Sequence, residues 1–241
     1  MTRCCGRKGW IIWMNNNMIQ DIHSHSYYSG CGRDDPRVII EAAIAGGITH
    51  FGISDHNYGI GDRIEQYKEE LHALKEEYRD RITLLCGVEI ATGDDLKAPK
   101  AEDDFTSFDY CLLEEIDEDN SVIDDLFQYA ARLGCPVGIA HTDMFGYCRD
   151  RGLDPLEFFG RMADNGIFWE MNVSYDSIHG YREHPYVLEF INNTEQQRII
   201  KESGVALSVG FDGHRVEDYL PDRVRNMNLW LVEKGIKVFT L

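Results

Sequence analysis

The sequence lacks long apolar runs. No stretch approaches the roughly 20 consecutive apolar residues that a membrane-spanning helix needs. The apolar segment Trp10–Met14 has only five residues and no small-residue cleavage site follows it, which argues against a signal peptide. We therefore expect a cytoplasmic protein in which residues 1–17 form a disordered extension and residues 18–241 form one folded domain.

Paired cysteines are also missing. The seven cysteines are an odd number, and no C-x-x-C spacing is repeated along the chain. This pattern argues against a disulfide framework and against a zinc ribbon.

Basic residues are few relative to acidic ones. The chain has 24 Lys and Arg against 42 Asp and Glu, which gives a net charge of −18. Such a surface repels nucleic acid and anionic membranes, because clustered positive charge drives both kinds of binding. We therefore expect no membrane partner and disfavour a long nucleic acid as substrate, whereas a small molecule remains a suitable substrate. The sequence does not indicate the oligomeric state.

Three common catalytic signatures are absent. The chain contains no G-x-S-x-G motif, no P-loop and no dinucleotide-binding fingerprint. These absences exclude P-loop kinases and simple dehydrogenases, and they give no sign of a serine nucleophile.

The chain does contain a regular alternation of short apolar runs with longer amphipathic segments. Seven runs predict strands, at residues 18–25, 49–56, 82–92, 108–115, 136–143, 167–173 and 205–214. Six amphipathic segments predict helices, at residues 35–47, 62–80, 121–134, 154–166, 194–204 and 221–235. The alternation favours an α/β fold with a mainly parallel sheet, and seven strands suit a closed or nearly closed barrel better than two domains.

Residues that bind metals recur at the carboxyl ends of the predicted strands. Five of the nine histidines lie there, and the complete set is His23, His25, Asp55, His56, Glu89, His141, Asp212 and His214. The loops at this end of a parallel barrel converge on one rim, where sites are built. A lone strand-end histidine is ordinarily structural, but ligand residues on five strands indicate a metal site.

His23 and His25 are two positions apart, so on a strand both imidazoles point to the same face. Two such imidazoles can bind one cation such as zinc, iron or manganese. Glu89 could bridge two ions, and Asp212 could complete a mixed nitrogen and oxygen shell. Two ions about 3.5–4 Å apart would activate water and hold a transferring phosphoryl group.

The ordered motifs "DIHSH", "SDHN", "GVE", "AH" and "GFDGH" resemble those of the polymerase-and-histidinol-phosphatase (PHP) family over residues 18 to about 215. The resemblance implies a distorted seven-stranded (β/α)7 TIM-like barrel and phosphoester hydrolysis. It also implies two to three divalent ions per chain, with zinc, manganese or iron as candidates. We expect a phosphatase that uses a metal-activated hydroxide on a small histidinol-phosphate-like or nucleotide-like molecule.

The resemblance also implies ligands for each ion. His23, His25, Glu89 and Asp212 would hold the first, Glu89 and His141 would serve the second, and His56 and His214 would serve the third. Glu89, Asp212 and His141 are the residues that we expect to carry catalysis.

Two positions depart from the family pattern. Cys31 lies where the family usually has a further histidine; it is either a thiolate ligand or a small packing residue. The fourth predicted strand ends without a histidine, so Glu114, Glu115 or Asp117 could replace it, and Glu114 is favoured because it lies within the strand. An acidic replacement would favour a harder ion.

Other residues have weaker signals. Arg149, Arg182 and Arg215 follow predicted strands, and Asn172 ends the sixth. All four are candidates to bind a phosphate ester, although most arginines are merely solvated and Asn172 could simply hold the rim. Asp55 could orient a ligand or cap a loop. His50 and His72 are expected to be structural, and His179 and His184 are left unassigned.

Two other functions compete with the phosphatase. An amidohydrolase-like C–N hydrolase also uses H-x-H on a metal barrel, but the early Glu89 and the final Asp212–His214 pair favour the phosphatase. A degenerate module that binds metal and regulates a partner is the third possibility, and the complete first-ion set argues against it.

Overall fold

The computed structural model describes residues 18–93, 97–100, 103–174 and 184–241. The predicted extension at residues 1–17 and the candidate Arg182 lie outside these ranges, as does His179. No helix in the described part of the chain is both long enough and apolar enough to cross a bilayer.

Seven parallel strands form one sheet in chain order, which confirms the predicted α/β barrel class. Each strand lies within its predicted segment and is shorter than predicted. The strands are β1 (Gln20–Asp21), β2 (His50–Ile53), β3 (Thr83–Ala91), β4 (Tyr110–Glu114), β5 (Val137–Ile139), β6 (Ile167–Asn172) and β7 (Leu207–Gly210).

The sheet closes on itself between its first and last strands. The backbone N–H of Ile22 donates to the carbonyl of Val209 at 3.0 Å. The N–H of Asp212 donates to the carbonyl of His23 at 2.8 Å. Because this seam continues past both strand ends, residues far apart in the sequence reach the same rim.

Nine α-helices occur among the described residues, and six of them match the predicted segments. These six are α1 (Pro36–Ala45), α3 (Ile64–Tyr78), α4 (Leu126–Leu133), α6 (Pro155–Asp164), α8 (Thr194–Ser203) and α9 (Pro221–Glu233). The three additional helices are short: α2 (Asn57–Ile60), α5 (Met144–Asp150) and α7 (Tyr186–Asn192). Between β3 and β4 the described residues contain no helix, as predicted.

Aspartate and glycine residues at the ends of the predicted helical segments act as helix caps. Asp35 and Asp154 accept backbone hydrogen bonds at the starts of α1 and α6, each followed by proline. Gly134 and Gly204 end α4 and α8 in the left-handed conformation that glycine adopts most easily.

Large side chains fill the barrel interior beside glycines of other strands. The Tyr110 hydroxyl donates to the carbonyl of Ile22 at 2.6 Å. A Cβ added at Gly52 or Gly87 would overlap the Tyr110 ring, and one added at Gly138 would lie 2.1 Å from the Phe168 ring. Glycine is therefore required at these positions because a larger residue would not fit inside the narrow, filled barrel. A larger apolar layer lies between the strands and the helices.

Candidate metal centre

The histidine pair follows the end of β1 and is almost completely buried. His23 is 0% exposed and His25 is 1% exposed. Their Nε2 atoms lie 3.2 Å apart. The structure therefore directs both imidazoles to one point, as expected for shared ligands of one cation.

Glu89, near the end of β3, lies at the centre of the cluster and is fully buried. Its Oε1 atom lies 3.1 Å from Nε2 of His23 and 3.0 Å from Nε2 of His141. Its Oε2 atom lies 2.9 Å from Nδ1 of His56 and 3.3 Å from Nε2 of His25. The two carboxylate oxygens thus face different histidine pairs, which is the arrangement that a bridging carboxylate requires.

Asp212 follows β7 and closes the cluster on another side. Its Oδ1 atom lies 3.0 Å from Nε2 of His25 and 3.5 Å from Nε2 of His23. Burial alone would raise the pKa of the Asp212 carboxyl, but the charge of His23 and the hydrogen bond from His25 hold it well below its usual value. The carboxylate is therefore ionised and able to bind a cation.

Three residues just beyond strand ends at the cluster have unusual backbone conformations. Within the described ranges, only three non-glycine residues have a positive φ: Glu115 at 60°, His141 at 21° and Asp212 at 58°. Two of them are predicted ligands and the third adjoins Glu114. Such conformations are costly for non-glycine residues and persist where the surrounding structure imposes them, typically at functional sites.

Four possible ligands converge on the side of the cluster where the first strand lies between the second and the last. His25, Cys31, His56 and His214 each offer a ligand atom, and these atoms lie within 4.8 Å of one another. Burial alone would raise the pKa of the Cys31 thiol, but hydrogen bonds to His214 and His56 lower it to about 7. A thiol in this setting ionises readily and suits a borderline or soft cation.

Glu114 lies at the end of β4 and contacts the same group. Its Oε1 atom is 3.1 Å from Nδ1 of His56, and it forms a possible ligand set with His56 and Glu89. Burial and the nearby charge of Glu89 raise the pKa of the Glu114 carboxyl, while His56 opposes that rise. Glu115 and Asp117 belong to none of the ligand groups among the described residues.

The electrostatics of the cluster favour a bound cation. Burial alone would lower the pKa of His23, but the charges of Glu170 and Glu89 raise it well above its usual value. Burial also opposes protonation of His141, but its bond to Glu89 raises that pKa to about 9. The pKa of His25 falls to about 3 through burial and the charges of His214 and His56. Protons on His23 and His141 therefore balance the negative charge of the nearby carboxylates. Divalent ions bound at the cluster would replace those protons.

Four buried side-chain atoms lack a hydrogen-bond partner within the described ranges, and two of them, His56 Nδ1 and Glu89 Oε2, belong to the ligand cluster. His56 Nδ1 and Glu89 Oε2 lie 2.9 Å apart, yet neither makes a hydrogen bond of acceptable angle there. Buried polar atoms are nearly always hydrogen-bonded, so such an exception needs an explanation. A cation between the two atoms would satisfy both, and the donor set therefore fits divalent metal ions.

Sequence reasoning missed Glu170, a fully buried residue of β6. Its Oε1 atom lies 2.7 Å from Nδ1 of His23, and its Oε2 atom accepts from the backbone N–H of His141 at 2.8 Å. An acid inside the otherwise nonionisable strand Ile167–Asn172 was the signal that could have revealed it.

Asp55 and His184 also support the cluster. Asp55 accepts hydrogen bonds from the backbone and side chains of Ser26 and Ser29. The Ser29 hydroxyl in turn lies 2.9 Å from Nδ1 of His25, so Asp55 orients a ligand residue through Ser29.

The buried ring of His184 stacks on His141 with centroids 5.0 Å apart. Sequence reasoning had left His184 unassigned because its loop gives no periodic signal.

The candidate phosphate-binding residues differ in burial and in their distance from the ligand cluster. The Asn172 side chain is buried, accepts from the N–H of Ser174 at 3.0 Å and lies 3.4 Å from Glu170. The Arg149 side chain is 72% exposed and pairs with Asp150. Arg215 directly follows His214 and lies 3.7 Å from Glu217. Asn172 thus adjoins the cluster's supporting residues, whereas the two arginines make their described ion pairs with nearby acidic residues on the surface.

Comparisons with known proteins show the family of the chain. The PHP domain family model matches residues 21–223. The chain therefore belongs to the PHP domain family, and it is a metal-dependent phosphoesterase. No curated protein sequence matches it.

Two solved structures of low sequence identity resemble the chain. Histidinol phosphate phosphatase from Lactococcus lactis, solved with zinc, L-histidinol and phosphate, has a TM-score of 0.56 and 18% identity, covering 91% of this chain and 94% of that one. A putative histidinol phosphatase from Listeria monocytogenes has a TM-score of 0.48 and 13% identity, covering 82% of this chain and 96% of that one.

Proposed function

We propose that the chain is a phosphatase that hydrolyses a small phosphorylated molecule with two to three divalent ions. The observation that carries this proposal is the position of Glu89. One of its oxygens faces His23 and His141, and the other faces His25 and His56. A single carboxylate shared between two histidine groups suits adjacent cations, and paired cations suit phosphoryl transfer.

The ligand groups suggest which residues would hold each ion. His23, His25, Glu89 and Asp212 would hold the first. Glu89 and His141 would contribute to the second, and Glu114 is placed to supply an additional oxygen near Glu89. Cys31, His56 and His214 would hold the third.

Bound divalent ions would supply Lewis-acid chemistry, polarising a phosphoryl oxygen and lowering the pKa of water. The chain's own residues would orient the ligands. Glu170 holds Nδ1 of His23, which leaves Nε2 directed at the cluster. Ser29 does the same for His25. Glu89, Asp212 and His141 are the residues that we propose to act in catalysis through these contacts.

The proposed substrate class rests on the net charge of the chain and on the ligands of a protein of similar fold. With a net charge of −18, the chain is poorly suited to a long polyanion. The Lactococcus lactis protein of similar fold was solved with L-histidinol and phosphate, which supports a small phosphomonoester here. A histidinol-phosphate-like or nucleotide-like molecule meets both conditions. We propose Arg149, Arg182, Arg215 and Asn172 as candidate contacts to it.

A panel of phosphorylated metabolites tests the proposal. Histidinol phosphate and nucleoside monophosphates are assayed for phosphate release with manganese, zinc or iron. Glu89→Gln should reduce turnover on the order of 1,000-fold, equivalent to about 4 kcal/mol in the barrier, because both ligand groups lose a charged oxygen.

His72→Gln is the matched control. His72 lies on the exposed face of α3, so its variant should retain activity. Turnover only on a parallel panel of amides and cyclic ureides would instead identify a C–N hydrolase. Inactivity on both panels, in folded and metal-loaded protein, would favour a regulatory module.

A further inference from the structure

Two free cysteines on neighbouring elements lie in direct contact at the opposite end of the barrel from the metal centre. Cys111 is the second residue of β4, and Cys135 lies just before β5. Their Sγ atoms are 2.8 Å apart. The backbone N–H of Cys111 donates to the carbonyl of Pro136 at 2.8 Å, which holds the two segments together.

The two thiols differ in access. Cys111 is 0% exposed and points into the apolar layer between the strands and the helices. Burial and the adjacent Cys135 thiol raise the pKa of the Cys111 thiol well above its usual value. Cys135 is only partly buried and lines a groove of about 400 Å³ together with Phe127, Ala130 and Ile167. A reagent can therefore reach Cys135 first, while Cys111 is protected behind it.

We propose that Cys111 and Cys135 form a reversible redox site that closes to an intramolecular disulfide when a low-molecular-weight disulfide reacts with Cys135. The Cys135 thiolate attacks one sulfur of the reagent, forming a mixed disulfide and releasing one reagent thiolate. The Cys111 thiol then loses its proton and attacks Sγ of Cys135, which releases the second thiolate. The two protein thiols together lose two protons and two electrons, and the reagent disulfide gains them as two thiols.

The position of the pair determines what its oxidation changes. The cross-link would join β4 to the start of β5 and enclose α4, across a sequence separation of 24 residues. Closing such a loop restricts the unfolded chain more than the folded one, so the oxidised protein should melt several degrees higher. At the other ends of the same two strands, Glu114 is the last residue of β4 and His141 follows β5. The cross-link should therefore change stability without removing any predicted ligand.

Peptide mapping of the full-length, metal-loaded protein tests the proposal. The protein is incubated with oxidised glutathione, free thiols are alkylated, and the chain is cleaved with trypsin. Cleavage after Lys100, Arg132 and Arg149 separates Cys111 from Cys135, because they lie in residues 101–132 and 133–149. We expect these two peptides to be joined, to lack two alkylation sites, and to separate after treatment with dithiothreitol.

Three variants show which cysteines form the cross-link and which one reacts first. Cys148 shares the second peptide with Cys135, so Cys148→Ser should leave the cross-link intact and assign it to Cys135. Cys111→Ser should stop the reaction at glutathione attached to Cys135. Cys135→Ser should leave Cys111 unmodified until the protein unfolds, since Cys111 is buried.

Other outcomes would overturn the proposal. One is a wild-type chain that accumulates the mixed disulfide on Cys135 while Cys111 remains alkylatable after unfolding. Another is a wild-type chain that leaves both thiols free while oxidised glutathione modifies other cysteines in the same sample. A cross-link that persists in Cys135→Ser would assign the chemistry to a different pair.

Discussion

Nδ1 of His23 lies 2.7 Å from Oε1 of Glu170, and neither side chain is exposed to solvent. The residues are 147 positions apart in the sequence and meet only because the barrel closes. The other oxygen of Glu170 accepts from the backbone of His141, whose φ of 21° is itself unusual. One carboxylate thus orients the imidazole of one proposed ligand and the backbone of another.

Glu170→Gln should weaken metal binding while the fold is retained. Both carboxylate oxygens accept hydrogen bonds, whereas glutamine has only one acceptor oxygen, so either His23 or His141 loses its support. Loss of such a supporting contact typically costs about 10–100-fold in metal affinity. Competition with a chromophoric chelator measures the affinity, and circular dichroism checks the fold. An unchanged affinity would limit Glu170 to a packing role.

Removal of the metal should destabilise the protein. Ions that bind only the folded state at about 1,000 times their dissociation constant add about 4 kcal/mol. For a domain of this size we expect chelation to lower the melting temperature on the order of 10 °C. Calorimetry with and without chelator measures the shift, and added zinc should restore it. Chelation should lower the melting temperature of the Glu89→Gln variant much less. An equal shift in that variant would mean that the stabilising ions bind elsewhere.

Cys31→Ser tests the thiolate ligand. Cobalt(II) bound through a thiolate gives a charge-transfer band in the near ultraviolet, so the cobalt-loaded protein should show this band and the serine variant should lose it. The variant should also bind fewer ions and prefer zinc less strongly. If Cys31 is only a packing residue, both spectrum and stoichiometry will be unchanged.

Cys148→Ser provides the control for this experiment. Burial raises the pKa of the Cys148 thiol to about 12, so it remains protonated at neutral pH and cannot serve as a thiolate. The Cys148→Ser protein should therefore keep the cobalt band. Loss of the band in this variant would mean that the spectrum reports a disturbed fold.

Two glycines should respond in opposite directions to alanine. Gly138→Ala places a methyl group against Phe168 inside the barrel and should cost about 1–3 kcal/mol of unfolding free energy. Gly160 lies within α6 with open space around it, so Gly160→Ala should add about 0.5–1 kcal/mol. Urea denaturation measures both changes, and tolerance of Gly138→Ala would show that the interior is less tightly filled.

Local sequence patterns determined the element order of this protein. Short apolar runs and amphipathic segments predicted all seven strands and the six longer helices, because periodicity and capping residues act over neighbouring positions. The three additional helices, α2, α5 and α7, have only four or seven residues, too few for a clear period. Most of the ligand residues could be named for the same local reason, since they lie at or just beyond the end of a recognisable strand.

Tertiary structure decided which of those residues meet, and through which atoms. Glu89 could be named as a bridging carboxylate, but the histidine facing each oxygen depends on the barrel's closure and register. Glu170 was overlooked because its partners lie beyond the ends of β5 and β1. Cys111 and Cys135 form no recognisable motif, yet adjacent strands place their sulfur atoms in contact. Side-chain identity and local period are properties of the sequence, whereas contact across many intervening residues exists only after the backbone has closed around a common core.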